Sequence, residues 1–178
     1  MGIIDGIENF IEKLEREAYE VEAGLKAEAN FSRIFNEADS LISMETVNEL
    51  RGADIDPADR AEYLSFLLCM IIDNNMKELT DRVITQELEM TCDTAAGPVP
   101  FRQLMVEIAN EKDHGKRSDL NDARRRGQRE LNGPSLEIMS ETHRTAENLG
   151  YSSYVDFFEK VEGLELEHVR SETDKLFD

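Results

Sequence analysis

At 178 residues the chain is long enough to bury a core without disulfides or metals. Its 40% hydrophobic and 33% charged residues, with four prolines and no tryptophan, read as an ordered, soluble and largely helical protein. A net charge of −19 repels phosphate backbones and anionic lipid headgroups, which sets nucleic acid and membrane surfaces aside as partners.

The start, "MGIIDGIENF", has no basic region, and Asp5 and Glu8 interrupt any signal-type apolar stretch. Gly6 stands where a myristoylation signal carries Ser or Thr. From Ile3 onward, Ile4, Ile7, Phe10, Ile11 and Leu14 recur at helical spacing with Glu8, Glu12 and Glu15 opposite. The same period runs through Ala18, Val21 and Leu25, then Phe31, Ile34, Phe35, Ala38, Leu41 and Ile42, with Gly24 a kink or end. Residues 1–50 are therefore expected to hold two long amphipathic helices or one bent one.

In "GADIDPADRAEY", Gly52 suits a helix end, Asp56 a cap and Pro57 the first helical position. The next helix, within 57–92, is apolar through Tyr63, Leu64 and the run Phe66 to Ile72, and is predicted to be the central buried one. That run is far shorter than the roughly 20 residues needed to span a bilayer. Cys69 lies inside it and is expected to be a buried, reduced thiol; with Cys92 it has no metal-type spacing, which points to a reducing, cytoplasmic compartment.

"DTAAGPVPF" reads as a turn-rich connector, because Pro98 and Pro100 remove amide donors. Four helices are expected beyond it, at about 101–112, 116–131, 134–148 and 152–177, the last broken near Gly163. Their caps are read as Ser118, the Asn132-Gly133-Pro134 joint and Ser152 or Ser153. No alternating run with hairpin punctuation and no repeat is visible, so the expected class is all-α, with seven or eight helices in antiparallel hairpins.

Candidate chemistry is sparse. A zinc-peptidase helix needs two histidines four residues apart, and His114, His143 and His168 provide no such pair. Glu111-x-x-His114 and Glu165-x-x-His168 match the pairing of carboxylate-bridged di-iron bundles, with Glu78 and Glu137 as single partners. Chance spacing in a glutamate-rich chain and helix-end histidines is the plainer reading. Between Glu111 and Glu130, seven Lys/Arg face five Asp/Glu, a locally basic strip. Arg117, Arg124 and Arg125, with Arg126 and Arg129 beside them, either form an anion-contact surface or pair with surrounding acidic helices. Met70, Met76, Met90, Met105 and Met139 are read as core rather than as a pliable binding surface. No Ser-His-Asp, Cys-His or phosphate-loop arrangement is visible.

From "ITQELEMTCDT" through "PFRQLMVEIANEKDHGKRSDLNDARRRGQRELNG" to "AENLGYSSYVDFFEKVEGLELEHV", the order of features resembles the helical N-terminal region of oligoendopeptidase F-like and thimet-like zinc metallopeptidases. The resemblance covers about residues 80–178. Its most specific part is the corner Leu149-Gly150-Tyr151-Ser152-Ser153-Tyr154. It implies a helical wall of a peptide channel, completed by a catalytic half with His-Glu-x-x-His, a third glutamate ligand and late tyrosine or histidine groups. None of these has a counterpart in this sequence, so zinc belongs to the catalytic half and no activity is expected of this chain alone. Peptide contacts, if made here, are expected from Tyr151 and Tyr154, with Arg124 or Arg125 taking a carboxylate. Two readings of residues 1–178 follow: the N-terminal helical part of such a peptidase, or a free-standing acidic module that binds another protein. The sequence leaves the oligomeric state open.

Overall fold

A computed structural model describes residues 2–176, and within them lie eight α-helices and a two-stranded hairpin. The all-α expectation holds. None of these helices is long and apolar enough to cross a membrane.

The first 50 residues form three helices rather than two: α1 (Ile3–Glu22), α2 (Phe31–Glu37) and α3 (Met44–Arg51). Gly24 adopts φ +70°, a left-handed conformation that ends α1. The loop beyond it is stitched by Glu17, which is only 5% exposed yet accepts from Asn30 N at 2.8 Å and pairs with Lys26. A buried carboxylate is tolerated because both oxygens are engaged. Asn30 at the head of α2 makes no side-chain cap; Asp81 from α4 (Pro57–Glu89) supplies it, accepting from Phe31 N at 2.8 Å and Ser32 N at 2.9 Å. No local pattern in the sequence marks a cap delivered from 50 residues away.

α4 begins as expected, with Pro57 at its first turn and Asp56 accepting from Ala58 N at 2.8 Å. Its buried line, Leu67, Leu68, Ile72 and Met76, joins Ile7, Val47, Leu50, Ala146 and Phe157 in the main core. Phe10, Phe35 and Ile42 form a second cluster beside it, with the Phe10 and Phe35 rings edge-to-face at 5.3 Å.

The connector after α4 is a β-hairpin, β1 (Thr91–Thr94) and β2 (Gly97–Pro100), paired Cys92 to Val99. The strands escape sequence reading because each has four residues and one carries two prolines. Pro98 and Pro100 are nonetheless compatible, since they alternate on the exposed face while Val99 turns inward. Gly97 takes φ +122°, and Thr94 Oγ1 closes the turn by donating to Gly97 O at 2.7 Å.

A 3₁₀ turn at Phe101–Gln103 leads into α5 (Leu104–Asn110), and then a single 35-residue helix, α6 (His114–Asn148), replaces the two helices expected there. Asp113, not Ser118, caps it, accepting from Lys116 N at 2.9 Å. Pro134 sits inside without ending it. Proline alone disfavours this position, but antiparallel α4 holds the stretch that follows it: Arg82 reaches Glu137 at 3.0 Å, and Asn75 faces Thr145 at 3.5 Å. Tertiary packing overrides the local break.

α7 (Tyr154–Glu162) and α8 (Leu166–Asp174) end the described fold, and Gly163 at φ +65° separates them. The expected helix end at residue 177 lies outside the described residues. α8 has no buried residue.

Candidate functional site

The Leu149–Tyr154 corner is a helix stop followed by a restart. Gly150 adopts φ +93°, Tyr151 N donates back to Ala146 O at 3.1 Å, and Ser153 caps α7 by accepting from Asp156 N at 3.1 Å. Tyr151 and Tyr154 do not stand free. Both pack on the fully buried Phe157, at ring distances of 5.0 Å edge-on and 5.8 Å stacked. Lys160 Nζ lies 5.8 Å from the Tyr151 ring centre. Burial, then the nearby Cys69, Asp73 and Glu162, raises the Tyr154 hydroxyl above its ordinary range.

Arg124 and Arg125 lie in the N-terminal half of α6, and Tyr151 follows its C-terminal end. The intervening helix from Arg125 to Asn148 spans ~34 Å at the α-helical rise. The four contact residues read from the sequence therefore form two separate places. The expected pairing of the basic strip with acidic helices does not occur: among the described residues its one ion pair is Arg125 with Asp122, 3.7 Å apart on the same helix.

The two Glu-x-x-His pairs are also kept apart. Glu111 and His114 flank the start of α6, whereas Glu165 precedes and His168 lies within α8, which follows α7 at the opposite end. Glu78 and Glu137 belong to the middle of the α4–α6 pair, and Glu137 is engaged by Arg82. No group of three or more His, Cys, Asp or Glu with metal-holding geometry exists among the described residues. The bundle geometry that the spacing suggested is absent because the long α6 holds its two ends apart.

Cys69 is less buried than expected. Cys92 is the buried one, under Phe101, while Cys69 is half-buried beside Tyr154. Burial pushes Cys69 up to about 11 and also raises Cys92, so both remain thiols at neutral pH. Among the methionines read as core, Met76 is buried, but Met105 and Met139 are exposed by 54% and 58%.

One feature was missed from sequence. Leu14, Ala18, Phe31, Phe35, Met70 and Ile84 line a cleft of about 400 Å³ between α1, α2 and α4, with Asp73, Glu15 and Lys77 also on its wall. Asp73 ends the apolar run "CMIID", which was the available signal. Lys77 does not neutralise it, since its Nζ is taken by Asn36 at 2.6 Å and Asn74 at 3.0 Å. Asp73 is itself exposed at the cleft rim, but the apolar groups around it still push its carboxyl up, to about 6. A folded-state value above the unfolded one favours the protonated fold, so this group destabilises above pH ~6 and ceases to do so below ~4. Asp73→Asn is expected to raise stability at pH 7.5 by about 1 kcal/mol, a figure discounted for solvent reaching the rim. The gain should vanish at pH 4; equal gains at both pH values in parallel thermal melts would refute the assignment.

Exposed apolar side chains occur on the C-terminal half of α6 (Leu136, Met139), on α7 (Val155) and on α8 (Leu166, Val169), as they also do at Tyr19, Leu25, Met105 and Val106. On α8, Leu166 and Val169 stand at helical spacing, 36% and 50% exposed, and the helix has no buried residue.

Comparison with known proteins returned no match: no family model, no curated protein and no solved structure is similar to this chain.

Proposed function

We propose that the chain is a non-catalytic helical scaffold unit of a zinc oligopeptidase, which packs against a catalytic half and shapes its peptide channel. The observation that carries this reading is the exposed apolar set from Leu136 to Val169, about half or more exposed at Leu136 (62%), Met139 (58%), Val155 (50%) and Val169 (50%). Apolar side chains left this exposed on successive helices offer contact area that another protein unit can cover. The Leu-Gly-Tyr-x-Ser-Tyr corner supports the peptidase assignment by resemblance. In this reading Tyr151 and Tyr154 brace the corner through Phe157 and hold α7 in place for the second unit, rather than lining the channel themselves.

The test is isolation of the protein from its source cells through an N-terminal tag, together with the coding sequence beyond codon 178. The expected result is a His-Glu-x-x-His segment, in the same polypeptide or in a stoichiometric companion, with peptide hydrolysis abolished by a chelator and restored by zinc. Leu136→Asp with Met139→Asp should lower that hydrolysis or release the companion. Absence of both the motif and zinc-dependent hydrolysis would refute the reading.

A free-standing acidic interaction module is the second reading. It is favoured by a core complete in itself, with Phe157, Ile7, Leu50, Leu67 and Leu104 fully buried. A tagged preparation with a protein companion but no peptidase motif selects this reading over the first.

A further inference from the structure

Seven of the 20 Lys and Arg residues lie between Lys112 and Arg129. Outside that strip, nine of the other 13 are within 4 Å of a carboxylate among the described residues. Inside it, Arg125 alone is, at 3.7 Å from Asp122. Arg117 and Arg126 donate to backbone carbonyls, Glu111 O at 2.9 Å and Asp93 O at 2.8 Å, which fixes their position without neutralising their charge. Arg124 reaches only the neutral Gln128, at 3.4 Å. Lys112, Lys116 and Arg129 are exposed to solvent.

A chain with 39 acidic residues has ample partners for these cations, yet the fold withholds them. The N-terminal half of α6 packs on the hairpin and α5, through Ala123 and Gly127 against Cys92, Phe101 and Leu104. Arg125 and Arg129 stand on the opposite side of the helix, given 3.6 residues per turn. His114, Arg117, Ser118, Asn121, Asp122 and Arg125 line a shallow recess of about 260 Å³ there. Lys116 and Arg117 also occupy the first turn of α6, where the helix dipole is already positive. An anionic partner relieves both the mutual repulsion and this dipole term.

We propose that the solvent face of the strip from Lys112 through the N-terminal half of α6 to Arg129 docks an acidic segment of a partner protein. Guanidinium forks match carboxylates in pairs, and successive Asp or Glu side chains can engage Arg125, Arg129 and Arg117 in turn. Nucleic acid carries the same sign of charge, but its continuous line of phosphates runs past this single short strip onto the acidic remainder of a −19 chain, whereas a short acidic segment can end within it. This inference does not rest on the scaffold reading: it concerns a separate stretch of α6, is measured on this chain alone, and its failure leaves that reading untouched.

The experiment titrates the full chain into a fluorescein-labelled oligoglutamate peptide, with an RNA oligonucleotide of equal charge as the comparison. The expected result is peptide binding that weakens as salt rises and falls about tenfold or more in Arg125→Glu/Arg129→Glu. Arg16→Glu/Arg33→Glu, which alters exposed cations already paired on other helices, should bind within about twofold of the native chain, and both variants should keep its melting profile. Four results would each overturn the proposal: no peptide binding, equal weakening in both variants, tighter binding to the RNA, or a concentration-dependent dimer that the strip variant abolishes.

Discussion

Phe157→Ala should lower the stability of the fold by about 3–5 kcal/mol, which corresponds to roughly 10 °C in melting temperature for a chain of this size. The ring is fully buried in the main core, among residues from α1, α3, α4 and α6. It also carries the two tyrosines of the corner, so its removal leaves a cavity and withdraws the support of Tyr151 and Tyr154 together. Val155→Ala, two residues away on the exposed face of the same helix, should change stability by less than about 0.5 kcal/mol. Thermal or denaturant unfolding of the pair checks the assignment. A small loss at Phe157 would mean that α7 is not docked on the core.

Two glycines of α6 should respond to the same substitution with opposite signs. A Cβ on Gly127 would meet Phe101 Cδ2 at 2.7 Å and Cys92 Sγ at 2.8 Å, both below contact distance. Gly127→Ala is therefore expected to cost about 1–3 kcal/mol by forcing the hairpin and the Phe101 turn away from α6. Gly133 has nothing within 4 Å of the equivalent position. There the change removes only the flexibility of a helical glycine and should stabilise by about 0.5–1 kcal/mol. Hydrogen exchange adds a local readout: Gly127→Ala should loosen Phe101 N, which donates to Met90 O at 2.9 Å and closes the base of the hairpin. If both variants are stabilised, the hairpin does not pack on α6 as described.

Much of the helical content was legible because it is locally encoded. The apolar period of α1, the Asp56-Pro57 start of α4 and the Gly150 to Ser153 corner each carry their signal within a few residues, and each forms as read. The hairpin was not legible. Its strands owe their existence to the surface they cover, since Cys92 and Val99 turn towards Ala123 and Leu120 of α6. The Asn-Gly-Pro joint misled for the converse reason: its local preference is to stop a helix, and the companion α4 outweighs it.

The candidate sites divide along the same line. Residue type and spacing were enough to find the basic strip, the corner and the two Glu-x-x-His pairs. Their relation in space was not encoded there. A 35-residue α6 sets the strip and the corner tens of ångströms apart and keeps the histidine pairs from converging.

The sequence by itself determined the all-α class, most helix starts and the sign of each charged stretch, because these depend on periodicity, caps and composition within one or two turns. Only the tertiary structure decided that α6 runs unbroken, that Asp81 caps α2 from a distance, and that Asp73 rims an apolar cleft. It also decided which cations lack a carboxylate. Each of these depends on which surfaces meet across the fold, and long-range packing free energy outweighs the local preferences that a short window of sequence expresses.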